Sequence, residues 1–159
     1  MAMQSLTRKL MPAAVACAAV LALASCASLQ RSWDQGNVEN VANLINTGQA
    51  AKLAAMSSSP FLIDGEVVPL KADVSGFWDG IIKAGYKVQG PRLGSAAPAS
   101  ADGYKQFADT MEVRAFFKNY VKKDTRILEL KTSSGRTVLL IIKDAVFSKK
   151  IIQGFKGPY

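Results

Sequence analysis

Phe61-Leu62-Ile63-Asp64-Gly65-Glu66-Val67-Val68 is the stretch from which the architecture is read. Two runs of β-formers flank Asp-Gly, a pair that accepts the positive φ angles of a tight hairpin turn. A helical pattern follows at once. Val74, Phe77, Trp78, Ile81 and Ile82 recur at i, i+3, i+4, i+7 and i+8, Asp73 is placed to cap the helix, and Gly85 ends it. Gly76 and Gly80 share one face of this helix. Each costs about 1 kcal/mol against alanine, so a close-packed neighbour is expected there.

Upstream, Val38, Val41, Ala42 and Ile45 have helical spacing, with Asn37 as cap and Asn46-Thr47-Gly48 as stop. Gln49 to Met56 reads as a short alanine-rich helix that Ser57 to Pro60 ends. Downstream, Tyr86 to Gln89 reads as a strand and Gly90 to Gly103 as a loop. Val113, Phe116, Phe117, Tyr120 and Val121 mark a further helix, with Asp109 and Glu112 at capping-box spacing. Three strands close the chain: Arg126 to Lys131, Thr137 to Ile142 after the turn Thr132-Ser133-Ser134-Gly135, and Lys150 to Phe155. The middle one is nearly all apolar, so it is expected at the centre of the sheet, covered on both faces.

This order resembles the nuclear-transport-factor-2-like cone-fold superfamily, in which a curved sheet wraps a long helix. The resemblance covers Val38 to Lys156 and rests on element order together with the hairpin–helix pair from Phe61 to Trp78. It implies an α+β fold, with a curved antiparallel sheet packed on N-terminal and central helices and a pocket at the mouth of the cone. The helix around Met111 to Val121 departs from the pattern, because many members have only strands there. Members include steroid isomerases, dehydratases and non-catalytic binding modules, so the fold leaves function open.

The first residues carry an address. Arg8 and Lys9 precede an apolar run from Leu10 to Ala24, which ends in small residues. These are the parts of a helical secretory signal. At about 15 residues the run is shorter than the roughly 20 that a spanning helix needs. Leu23-Ala24-Ser25-Cys26 resembles the bacterial lipobox, which implies cleavage before Cys26 and acylation of its thiol. The alternative is an ordinary cleaved signal using Ala22-Leu23-Ala24. Residues 1–25 are therefore expected to be a lipoprotein signal peptide, 26–36 a lipidated tether and 37–159 one α+β domain. Two or more acyl chains, at about 0.8 kcal/mol per buried methylene, hold a protein stably on a membrane. Ala27 in place of Asp is similar to the Gram-negative pattern that implies the periplasmic side of the outer membrane. Trp33, between Arg31 and Asp34, either rests on the membrane surface or docks back on the domain.

The two cysteines are Cys17, inside the signal, and Cys26, so the mature chain has no pair for a disulfide. The chain carries 20 Lys and Arg against 12 Asp and Glu. From Glu112 onward there are 11 basic and 4 acidic residues, so the positive charge lies in the C-terminal third. In an exported protein, anionic lipids or envelope polymers are the expected partners of that charge, and nucleic acid is not. The candidate basic face is Lys118, Lys122, Lys123, Arg126 and Lys149; the plainer reading is solvated lysines on helices and strands.

There is no histidine, which removes Ser-His-Asp triads, His-based acid–base pairs and most zinc sites. No phosphate-binding glycine motif is present, and no cofactor or metal is expected. An isomerase-type site needs a carboxylate in an apolar pocket beside a phenol. Asp79, Asp109 and Glu112 are the available carboxylates, and Tyr86, Tyr104 and Tyr120 the phenols, but none sits in a motif. The aromatic candidates for a pocket are Trp78, Tyr86, Phe116 and Tyr120, of which Trp78 and Phe116 read first as core. Three functions follow in order: a non-catalytic module binding a small apolar ligand or an envelope protein, a basic adaptor for anionic polymers or lipids, and a carboxylate–tyrosine pocket enzyme.

Overall fold

The computed structural model describes residues 28–143 and 150–159. Residues 1–25, where a signal peptide is expected, and Cys26 and Lys149 lie outside the described residues. The chain divides into two units, Met1–Trp33 and Asp34–Tyr159. In the first, the described residues 28–33 are helical, and Leu29 and Trp33 are both 62 % exposed. The second is α+β. Its helices are α1 (34–46), α2 (Ala50–Met56), α3 (Lys71–Lys83) and α4 (Met111–Tyr120). Its strands are β1 (Ser57–Ile63), β2 (Glu66–Val68), β3 (Arg92–Pro98), β4 (Thr125–Lys131), β5 (Thr137–Lys143) and β6 (Ile151–Lys156), with a 3₁₀ turn over Gly103–Gln106.

The hairpin forms where the sequence places it. Phe61 pairs with Val68 and Ile63 with Glu66, and Asp64 and Gly65 take positive φ at the tip. The six strands form one sheet in the order β2-β1-β6-β5-β4-β3. It is mixed rather than purely antiparallel, because β1 and β6 run parallel. A parallel pair needs a long connection, and most of the domain lies between these two strands. Register shifts interrupt the β1–β6, β3–β4 and β5–β6 pairings. Such irregularities bend strands and raise local twist.

Strand alternation loads both faces. Val138, Leu140 and Ile142 of β5 point into one cluster with α1, α2 and α3, where Val38, Ile45, Leu53, Val74 and Trp78 are buried. Leu139 and Ile141 point into a second cluster with Val113, Phe116 and Phe117 of α4, Phe107, and Leu62 of β1. The expectation of a central β5 covered on both sides holds. Gly154 on neighbouring β6 has no room for a Cβ, which would lie 2.9 Å from Ile141 Cδ1 and 3.2 Å from Leu62 Cβ.

Several boundaries differ from the sequence pattern. The first helix already includes 28, the first described residue, so Asn37 is an interior, buried residue and not a cap. The helix α3 starts at Lys71 with Leu70 as N-cap, and Asp73 lies inside its first turn. Thr110, rather than the Asp109–Glu112 pair, caps α4: its hydroxyl accepts from Val113 N at 3.3 Å. Nothing packs on Gly76 or Gly80; a Cβ at either would meet no heavy atom within 4 Å.

The largest change exchanges a strand and a loop. Tyr86 to Gln89 is not a strand; Asn46 holds Val88 instead, its amide donating to Val88 O and accepting from Val88 N, both at 2.7 Å. The expected loop contains β3, the edge strand against β4. Small residues let β3 sit close beneath its neighbour: a Cβ on Gly94 would lie 3.0 Å from Glu129 Cδ and Lys131 Cε. Pro98 ends it, as an edge permits.

Candidate functional site

The pocket candidates do not converge. Trp78 is fully buried in the α1–α3 cluster, T-stacked on Phe61 and Phe155 at 6.0 and 5.5 Å. Its Nε1 donates to Ser57 Oγ at 2.9 Å, and that hydroxyl donates to Leu53 O at 2.8 Å. A filled, hydrogen-bonded site of this kind is core. Phe116 is buried in the opposite cluster, and Tyr120 stands beside it, 45 % exposed. Tyr86 is half-buried on the edge of the first cluster. Burial pushes its phenol above the usual tyrosine range, and Arg136 pulls it part of the way back.

Three of the basic candidates do gather. Lys118, Lys122 and Lys123 border a cavity of about 490 Å³ with Arg114, Ala99, Ala101, Tyr104, Phe117 and Val121. Each is exposed, and none of these three lysines makes an ion pair among the described residues. Among the described residues no carboxylate lines the cavity. Its floor is aromatic, with Tyr104 and Phe117 edge to face at 6.4 Å. Arg114 lies over the Tyr104 ring at 5.2 Å and is gripped by Asp109, whose hydrogen bond pushes the guanidinium pKa up from its ordinary value. Such a contact is a cation–π arrangement.

The elements behind the rim are tied together by hydrogen bonds of buried side chains. Buried Thr125 donates to Gln153 Oε1 at 3.3 Å, and Gln153 Nε2 donates to Tyr120 O at 3.2 Å. Thr125 Oγ1 also accepts from Lys122 N at 3.2 Å. Two buried side chains from the sheet thereby fix the chain as it leaves α4, and with it the start of Lys122-Lys123. Gly103 allows the 3₁₀ turn to press close; a Cβ there would lie 2.9 Å from Ile127 Cδ1 and 3.1 Å from Phe117 Cε1.

Arg126 does not join this group. Its guanidinium donates to Asp34 through Nε (2.9 and 3.1 Å) and Nη2 (2.8 Å), tying α1 to β4. Asp34 is 1 % exposed. A fork-on-carboxylate pair is the strong geometry for such a bond.

Comparison with family models, curated proteins and solved structures gives no match. The site therefore rests on its own chemistry. The carboxylates weighed for a pocket enzyme are all exposed: Asp79 borders a groove with Lys71 and the alanines of α2, Asp109 holds Arg114, and Glu112 is in the first turn of α4. No helix among the described residues is long and apolar enough to cross a membrane.

Arg114 was not singled out by sequence reasoning, Tyr104 was weighed only as a phenol for a pocket enzyme, and Phe117 only as part of the apolar face of α4. The signal was present in the i, i+4, i+8 spacing of Arg114, Lys118 and Lys122, a cationic line beside the apolar stripe. Asp34 was missed because its partner is 92 residues away.

Proposed function

We propose that the protein is a lipid-anchored envelope module, non-catalytic, that binds an anionic group of a lipid or envelope polymer in the cavity rimmed by Arg114, Lys118, Lys122 and Lys123. The observation that carries this reading is three lysines over an aromatic floor with, among the described residues, no ion-pair partner and no carboxylate in the lining. Cations placed together repel one another, and an anion that neutralises them removes that cost. The aromatic and methyl floor suits an apolar portion next to the charge. The buried-carboxylate arrangement of a pocket isomerase has less support, since Asp79, Asp109 and Glu112 are solvated.

The anchor itself is proposed from Leu23-Ala24-Ser25-Cys26, with export to the bacterial envelope and, in a Gram-negative cell, the periplasmic side of the outer membrane. Leu29 and Trp33 support it: they stand one helical turn apart, exposed, shortly after Cys26. Amphipathic aromatic and apolar side chains suit the headgroup boundary. The finer reading of the fold, a nuclear-transport-factor-2-like cone, is supported by the order of two helices, hairpin, helix and terminal strands.

Two measurements test the proposal. Intact mass of the membrane-extracted chain is expected to show a start at Cys26 plus acyl groups, lost in Cys26→Ser; an unmodified soluble chain refutes the anchor. Separately, the chain is titrated with phosphatidylglycerol vesicles, phosphatidylcholine vesicles and a soluble polyphosphate. Anion binding that weakens steeply with salt and drops in Lys122→Ala/Lys123→Ala supports the cavity reading. Binding indifferent to both the salt and the lysines overturns it.

A further inference from the structure

A second concave site lies between the α3–β3 connection and the β4–β5 turn. It is a cleft of about 350 Å³ bordered by Tyr86, Lys87, Gln89, Thr132, Ser134 and Arg136. Its two walls are locked together. Ser133 N donates to Gln89 O at 2.8 Å, and Asn46 clamps Val88 on both backbone groups. Lys87 Nζ donates to Asn46 O at 2.6 Å, which holds a cation at the edge. In the turn, Thr132 Oγ1 accepts from Arg136 N at 3.1 Å and lies 2.9 Å from Ser134 Oγ.

Two groups here are unused. The Tyr86 hydroxyl is buried and has no hydrogen-bond partner among the described residues. A buried polar group without a partner is rare and costly in folded proteins. Among the described residues the Arg136 guanidinium makes no ion pair or hydrogen bond and no carboxylate lines the cleft. The result is a guanidinium and a phenol without an acceptor, beside a Thr132 hydroxyl that donates to Arg136 O at 3.2 Å and pairs with Ser134 Oγ, and a Lys87 ammonium that donates to Asn46 O. Donors of this kind in fixed walls match the oxygens of a small anion.

We propose that this cleft is a binding site for a compact oxyanion, a carboxylate or phosphate group, held by the Arg136 guanidinium with Thr132 and Ser134 and completed by the Tyr86 hydroxyl. The ligand oxygen supplies the acceptor that the phenol lacks. The site is separate from the lysine-rimmed cavity: the two share no lining residue.

The test is a titration of the isotope-labelled chain in detergent micelles with inorganic phosphate and with acetate, against chloride at equal ionic strength, read from backbone amide shifts. Saturable shifts confined to residues 85–90 and 132–136, produced by either oxyanion and not by chloride, are expected. Phosphate alone, acetate alone or both then name the group. Arg136→Gln should weaken binding about tenfold or more, as loss of a charge-assisted contact does. Tyr86→Phe should also weaken it while leaving the chain as stable as before or more so, because the orphaned hydroxyl is gone. Lys122→Ala/Lys123→Ala should leave these shifts unchanged, so failure here is distinct from failure of the lysine cavity. Shifts equal with chloride, or undiminished in Arg136→Gln, overturn the proposal.

Discussion

The two faces of the sheet are closed differently. On one, α1, α2 and α3 bury a continuous apolar layer in which Phe61, Phe77, Trp78 and Phe155 interlock at centroid distances of 4.9 to 6.2 Å. On the other, α4, a helix of 10 residues, and a 3₁₀ turn cover a smaller cluster. Three helices seal a face. One short helix leaves a flank open, and the lysine-rimmed cavity occupies that flank, with Phe117 serving both the cluster and the cavity floor. The larger apolar layer lies on the first face, and the lysine-rimmed cavity lies on the second.

The comparison can be broken most directly at the aromatics. Trp78→Ala is expected to destabilise the fold by about 3–5 kcal/mol in denaturant titration, the range for large aromatic truncations in a core. Phe117→Ala should cost less, about 3 kcal/mol, because atoms bordering an open cavity relax more easily. Equal losses would show that the second face is as tightly filled as the first. Between the faces stands Gly154. Gly154→Ala is expected to cost about 1–3 kcal/mol by overpacking, since its methyl would press on Ile141 and Leu62, both in the α4 cluster.

The smallest expected change has the opposite sign. Gly80→Ala, in the exposed interior of α3 with nothing near the new methyl, should raise stability by about 0.5–1 kcal/mol. A loss instead would mean that another molecule occupies that helix face.

How much of this was legible follows from how local each signal was. The Asp64-Gly65 hairpin, the α3 and α4 stripes and the central β5 were readable because their determinants lie within a few residues of one another. The β3 strand was not. Arg92 to Pro98 is rich in Gly, Ala and Pro, and its strand character comes from β4, which admits small residues beneath Glu129 and Lys131. The same holds for Tyr86 to Gln89, whose β-forming residues are claimed by the Asn46 side chain from 42 positions away. Three members of the candidate basic face were brought to one cavity because they stand within six residues of each other. Arg126 was drawn off by a carboxylate far upstream.

That carboxylate sits where the chain enters the domain. Asp34 is clamped to β4, Gln35 Oε1 accepts from Leu93 N of β3 at 2.8 Å, and Asn37 Oδ1 accepts from Lys150 Nζ beside β6. A tensile load applied upstream therefore does not peel one strand from the edge. It arrives as shear on three fastenings, on β4, on β3 and just before β6.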